Sequence, residues 1–401
     1  MAKRLLVLTL VVMVSLASGC SGEPATEQTT GEPIKLGVFV PLSGPAAATG
    51  QEMRNAYLLA ETEINASGGV LGRPIELVIE DSKDPAAAVA SMERLVTKDG
   101  IEILLGGVSS TVAYALAEPT KKYEPLMAWT GAASSLVEQA FGDVDWFFHY
   151  HPWEYHNVQA LVDFLTHAGA TKVAIAYEDG LFGTSNIKIA EEMFPEAGLE
   201  LLLAEPFKSG TGDFAPLLTR IENADPDAFV WIGYPGDAIP ITTQAKELDF
   251  NPDTILAYVP GWPEGWAELD VSEYVTAIVL STPDVPNEAA QGFVAAYKAE
   301  YGSAPLSYWG PLAYTSLVTV ADAIEKAGTT EKAAVIEALA ETEYDSPLGS
   351  TLTFTPSRIA KHQGFKNLVT VQWRSSKMEV VYPTELATKE LVYPAPSWGD
   401  R

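Results

Sequence analysis

The chain has 401 residues, 47% of them hydrophobic and 19% charged, an ordinary globular composition that excludes a disordered protein. Its 53 acidic residues against 25 basic ones give a formal net charge of −28. Such a surface repels polyanions, so nucleic acid is not an expected partner, and the charge reads as an acidic exterior facing water and salt.

The first twenty residues, MAKRLLVLTLVVMVSLASGC, are expected to be an export signal rather than fold. Lys3 and Arg4 make a basic start, Leu5 to Leu16 an apolar stretch too short to span a bilayer, and small residues precede Cys20. The run Ala17-Ser18-Gly19-Cys20 resembles a bacterial lipoprotein lipobox, with Ala17 smaller than that pattern prefers. Cys20 is also the only cysteine, so no internal disulfide can form, and lipidation of Cys20 is the expected fate of the thiol. Residues 1–19 therefore read as a signal peptide. The following SGEPATEQTTGEP lacks aromatic and aliphatic residues and reads, over 20–33, as a flexible tether.

From Ile34 short apolar runs alternate with helical periodicity, the pattern of strand-helix units on a parallel sheet. IKLGVFV predicts a strand, and Met53, Ala56, Tyr57, Ala60 and Ile64 share one face of the next helix. IELVIED, IEILLGG and PLMAW predict three more strands, with a helix opened by Asp84-Pro85 between the first two. After an aromatic and histidine-rich stretch from Trp146 to His156 the alternation restarts with VAIAY, LELLLAEPF, AFVWIGY, TILAY and TAIVLST. Two doubly wound units follow from this. The tail adds the helices SYWGPLAYTSLVTVADAIEKAG and KAAVIEALAET and strands such as LVTVQW, which could complete either unit.

Ligands of open parallel sheets collect at the carboxyl ends of strands, where loops meet helix N-termini. ILLGGVSST is such a place. Gly106-Gly107 end a strand, and a helix starts near Ser110 with backbone N–H groups that lack intrahelical partners and favour an anion. A carboxylate suits it; the plainer reading is that Ser109 or Ser110 only caps the helix. Neither GxxxxGK[ST] nor GxGxxG is present, which argues against phosphate. TGAASS, at 130 to 135, is a second small-residue turn expected to lie beside the first.

Taken together, IKLGVFVPLSGPAAATGQ, INASGGVLGRPIELVIEDSKDP, ILLGGVSS, YEDGLFGTS, DFAPLLTRI and SYWGPLAYTS resemble the periplasmic solute-binding proteins of branched-chain amino-acid ABC transporters. The match runs from Ile34 to about Val381. The resemblance implies an α/β fold of the type I periplasmic binding protein class, two doubly wound parallel-sheet lobes joined by a three-strand hinge. It places 34–149 and 284–354 in lobe 1, and 150–283 and 355–394 in lobe 2. It implies a solute held between the lobes, an ABC permease as partner, no cofactor, no catalysis and a monomer anchored outside the cytoplasm through Cys20. Ser110 matches the family's carboxylate-binding serine, with Ser109 beside it. Gly131, Ala133 and Ser134 match a loop that in the family also supplies a threonine, absent here. Glu264 is the candidate to receive an ammonium group, with Asp237 and Glu178 as alternatives. Trp129, Trp153, Tyr155, Phe182, Tyr234, Trp262 and Trp309 fall at cleft positions and suggest a ligand with an aromatic or bulky apolar part.

His149, His151 and His156, with Glu154 nearby, have the chemistry for a metal site, but hydrogen bonding across the cleft is the expected role and no metal is assigned. An exported hydrolase is the competing class, opposed by the absence of GxSxG and HExxH signatures. A sensor docked to a membrane signalling protein would keep the fold and change the partner. Replacing Cys20→Ser is expected to move the mature protein from the membrane fraction to the soluble one, measured by detergent partitioning and mass spectrometry of the N-terminal peptide.

Overall fold

The computed structural model describes residues 31–401, so the signal, Cys20 and most of the tether lie outside the described residues. The chain begins β1 (Ile34–Val40), α1 (Ala47–Ala66), β2 (Ile75–Asp81), α2 (Pro85–Thr97), β3 (Ile103–Gly106), α3 (Ser110–Lys121), β4 (Leu126–Trp129), α4 (Ser135–Phe141) and β5 (Phe147–His149). It continues with α5 (Glu154–Ala168), β6 (Lys172–Glu178), α6 (Leu181–Glu196), β7 (Glu200–Phe207), α7 (Ala215–Asn223), β8 (Ala228–Ile232), α8 (Pro235–Glu247), β9 (Thr254–Tyr258) and β10 (Thr276–Val279). Then follow α9 (Glu288–Tyr301), α10 (Trp309–Ala327), α11 (Lys332–Ala340), the small hairpin β11 (Glu343–Asp345) and β12 (Thr351–Thr353), and β13 (His362–Gln363), β14 (Val369–Arg374) and β15 (Lys377–Tyr382).

Two sheets result. The first has the order β13-β5-β4-β3-β1-β2 and is parallel throughout, with Val38 opposite Leu105 and Leu105 opposite Ala128. The second has the order β15-β14-β10-β9-β8-β6-β7. It is parallel from β7 to β10, but β14 and β15 add antiparallel. Their buried core positions, Val371, Trp373 and Val381, explain why LVTVQW reads as a strand even though no helix precedes it.

Three segments cross between the sheets: 150–153, 280–287 and 364–368. The expected boundary at 355 differs from what the chain does. Thr355 and Gln363 exchange both backbone hydrogen bonds, and β13 pairs with β5, so residues 355–363 stay with the first sheet. The buried Gln363 amide holds them there, donating to the carbonyls of His151 and Phe365 at 2.9 and 2.8 Å. A two-residue strand has no periodicity to read, which is why the sequence hides it.

Local chemistry sets the helix starts that face the gap. Asp84 caps α2 through its Oδ1, which accepts from Ala87 N–H at 2.8 Å, with Pro85 at the first helical position. Ser109 caps α3 and Ser134 caps α4. Gly107 sits between β3 and α3 at φ +90, and a Cβ there would lie 2.0 Å from Trp129 Cε2. Only glycine satisfies both demands. At the far end, residues 383–401 wrap the second sheet's lobe: the Trp398 indole donates to Phe250 O at 2.7 Å, and the Arg401 guanidinium lies 3.7 Å over its ring. Gly107→Ala is expected to destabilise the protein by about 3 kcal/mol, from a strained φ plus overpacking against Trp129, in urea denaturation.

Candidate functional site

A gap of about 290 Å³ lies between the carboxyl ends of the two sheets. Val108, Ala132, Ala133, Tyr308 and Trp309 wall it from the first lobe, Phe182, Tyr234, Tyr258 and Pro260 from the second, and His151 from a crossing segment. The lobes are shut around it. Gly236 N–H donates to Pro45 O at 3.1 Å, Leu181 N–H donates to Thr111 Oγ1 at 3.1 Å, and the Thr49 hydroxyl donates to Pro260 O.

The first-lobe wall is built on the two serine turns. Ser109 Oγ accepts from Val112 N–H, which makes it the N-cap of α3. Ser110 does something else: its Oγ, 1% exposed, accepts from Ser134 N–H at 3.3 Å and ties the start of α3 to the turn before α4. Ser134 Oγ is spent on Leu136 N–H, so its role is also capping. Ala133 lines the gap, and its carbonyl accepts from Glu154 N–H at 2.6 Å. Gly131 is buried beneath the wall, its carbonyl facing His149 Nε2 at 2.7 Å.

Glu52 positions the rest of that wall. Its carboxylate accepts from Leu306 N–H, the Ser307 hydroxyl and Gly310 N–H at 2.8, 2.6 and 3.0 Å, pinning the start of α10 where Tyr308 and Trp309 stand. Burial pushes its pKa up, opposed by those donors. His151 stacks on Trp309 with ring centres 5.1 Å apart. Its Nδ1 is 2.8 Å from Pro152 O and its Nε2 is 3.0 Å from the Tyr308 hydroxyl. Burial first, then the neighbouring His149 charge, hold its pKa down to about 3, so the ring is neutral. Nδ1–H therefore donates to the carbonyl and Nε2 accepts from the phenol.

Several expected site residues stand elsewhere. Trp129 is wholly buried behind β4 against Phe39, and Trp153 stacks on His149 at 3.6 Å within the core. Tyr155 packs under the Arg358 guanidinium, 3.9 Å above its ring, with Glu138 at its hydroxyl. Trp262 stacks on Trp266 at 4.7 Å in a tryptophan cluster with Trp231 and Trp373. Each aromatic followed a strand or opened a helix at the correct end of its sheet, but its phase turned it inward.

The acidic residues are the larger correction. Glu264 is exposed, on a turn before Gly265, and lines nothing. Glu178 is spent on Gly180 and Gly183 N–H groups at 2.6 and 3.0 Å. Asp237 takes Gly210 N–H at 2.7 Å, the Ser209 hydroxyl at 2.5 Å and Tyr234 N–H at 3.1 Å. Both are helix-start supports. Phe182, Tyr234 and Trp309 do line the gap; Val108, Ala132, His151, Tyr258, Pro260 and Tyr308 join them without having been assigned to the wall from sequence. Tyr258 had a usable signal, as the last residue of the TILAY strand. Among the described residues no three His, Cys, Asp or Glu side chains group to hold a metal. His149 instead faces Gly131 O and Gln363 Oε1, and His156 Nδ1 accepts from Trp153 N–H.

The sequence profile of the periplasmic binding proteins matches residues 33–377. The chain belongs to the periplasmic binding protein family. A Leu/Ile/Val-binding protein homolog of Brucella abortus is 26% identical over 98% of this chain and all of that one. Among solved structures, a solute binding protein of R. palustris in complex with benzoate superposes with a TM-score of 0.78 at 17% identity, covering 91% of this chain and 97% of that one. The substrate binding protein LivJ of Streptococcus pneumoniae, in complex with isoleucine, gives 0.75 at 23% identity, covering 90% and 100%. These likenesses show the type I fold read from the sequence. Removing the Ser110 hydroxyl in Ser110→Ala leaves the buried Ser134 N–H without its acceptor and is expected to cost about 1–2 kcal/mol in urea unfolding. Glu264→Ala should stay within about 0.5 kcal/mol of the parent.

Proposed function

We propose that this protein is a non-catalytic extracytoplasmic receptor of an ABC importer that captures a small carboxylate with an aromatic or bulky apolar body. One observation carries the reading: the gap between the lobes meets the first turn of α3 on one side and is otherwise walled by aromatic and aliphatic side chains, without an acidic or basic one. The α3 N–H groups and the serine hydroxyls favour an anion there. A plain α-amino acid also needs a carboxylate for its ammonium, and Glu178, Asp237 and Glu264 are all engaged or exposed elsewhere. An aromatic acid needs none. Its ring would stack among Trp309, Tyr308, Phe182 and Tyr234, where aromatic pairs add to simple area burial.

The size agrees. At about 290 Å³ the gap is at the small end of ligand pockets, roughly 300–1,000 Å³, which suits one ring rather than a peptide. Capture follows from hinge closure: an anion bound at the α3 turn bridges to second-lobe aromatics, and the backbone contacts at Pro45 and Pro260 then form. A micromolar dissociation constant corresponds to about −8 kcal/mol, within reach of a few charge-assisted hydrogen bonds plus an apolar wall after ordering costs. Hydrolysis is disfavoured, because Ser110 Oγ faces an amide N–H and both nitrogens of His149 and His151 are engaged. Benzoate bound by the R. palustris neighbour supports the ligand class.

Delivery to a permease and tethering through a lipid at Cys20 complete the reading; among the described residues no helix is long and apolar enough to cross a membrane. Calorimetric titration should show one site per chain with benzoate tighter than leucine by at least tenfold. Leucine binding more tightly than benzoate would reverse the assignment.

A further inference from the structure

Behind Tyr258 lies a second cavity of about 240 Å³, inside the lobe of the second sheet. Asn157, Val158 and Leu161 of α5 wall it on one side, Asn186 of α6 and Ile232 at the end of β8 on another. Tyr258 is a wall of both this space and the inter-lobe gap, so its ring is the partition between them.

The polar groups here are not balanced. Asn186 is accounted for, since its amide nitrogen donates to Phe182 O at 2.8 Å. Asn157, only 1% exposed, has no hydrogen-bond partner among the described residues for either its amide nitrogen or its oxygen. One turn earlier on the same helix, Glu154 is equally buried, and its Oε2 is also unpartnered. The Tyr258 phenol has both of these groups as neighbours. Native proteins seldom bury a primary amide whose donor and acceptor are both unmet, and where they do the group usually waits for something that completes it.

We propose that Asn157 and Tyr258 form an inner subsite that accepts a hydroxyl on the ligand's ring, at the end away from its carboxylate. The inference rests on the reading of the gap as an aromatic-carboxylate site and adds which members of that class are preferred. A phenolic hydroxyl both donates and accepts, so it meets the two halves of the amide at once. A second carboxylate does not fit, because it would face the Asn157 oxygen and the Glu154 carboxyl across walls of valine, leucine and isoleucine. An ammonium would need Glu154 ionised, and burial pushes that carboxyl up to about 7 while the Ser135 hydroxyl and N–H oppose the shift. The substituent enters by turning the Tyr258 ring out of the partition.

The test is calorimetric titration of the intact mature protein with benzoate and 4-hydroxybenzoate at neutral pH. The wild type is expected to bind the hydroxylated acid at least tenfold more tightly. Asn157→Leu, which keeps the volume and removes both amide atoms, is expected to equalise the two acids while leaving the affinity for benzoate within about twofold. Tyr258→Phe should lower the preference in part. Equal affinities in the wild type, or a preference that survives Asn157→Leu, would overturn the inner subsite and leave the aromatic-carboxylate reading standing. Failure to bind either acid would remove both, and the wild-type comparison decides even if a variant does not fold.

Discussion

The first turn of α3 points N–H groups that no helix can satisfy into a space that the closed lobes shield from water. In bulk solvent those groups would cost nothing. Here they make the enclosed gap selective for negative charge, and much of the surrounding construction serves to hold the turn still. Gly107 lets the chain reverse over Trp129, Ser110 ties α3 to the turn at Ser134, and Glu52 brings the start of α10 against both. Each of these is a local hydrogen bond or a missing side chain, yet together they fix where an anion must sit before the second lobe arrives.

The hinge is held by the same kind of bookkeeping among buried polar groups. Gln363 receives and donates around three crossing residues, His149, His151 and Phe365, and its amide orientation is set because both N–H bonds go to carbonyls. Its oxygen is then left to face His149 Nδ1, while His149 Nε2 faces Gly131 O. Burial holds that imidazole down to about 4, so at neutral pH it is uncharged and makes one donor bond, not two. The crossing is thus stiff at β5 and β13, and motion is left to the few residues between each sheet and its continuation.

Most of the architecture was legible because strands such as IKLGVFV and TILAY carry uninterrupted apolar runs and their helices carry caps that declare themselves, as Asp84-Pro85 does. The serine turns could be found for the same reason: a glycine pair and a run of hydroxyls are local signals. The walls were only half legible. Phe182, Tyr234 and Trp309 face the gap while Trp129, Trp153 and Tyr155 face the core, and nothing local distinguishes them, since side-chain direction depends on where a strand ends in its pleat and how the next helix is entered. The acidic partner was misplaced for a related reason. A buried carboxylate such as Asp237 looks in sequence like a ligand contact, but the backbone N–H groups of its own loop claim it first.

The contacts that shut the two lobes use main-chain atoms on one side or both: Gly236 with Pro45, Thr49 with Pro260, Leu181 with Thr111. A latch of that kind is indifferent to what fills the chamber, provided it fits. Cargo preference can then drift over evolutionary time by exchanging a few lining residues, with the clasp and its mechanical travel inherited unchanged. The modularity of such a scaffold lies in that separation between fastening and choosing.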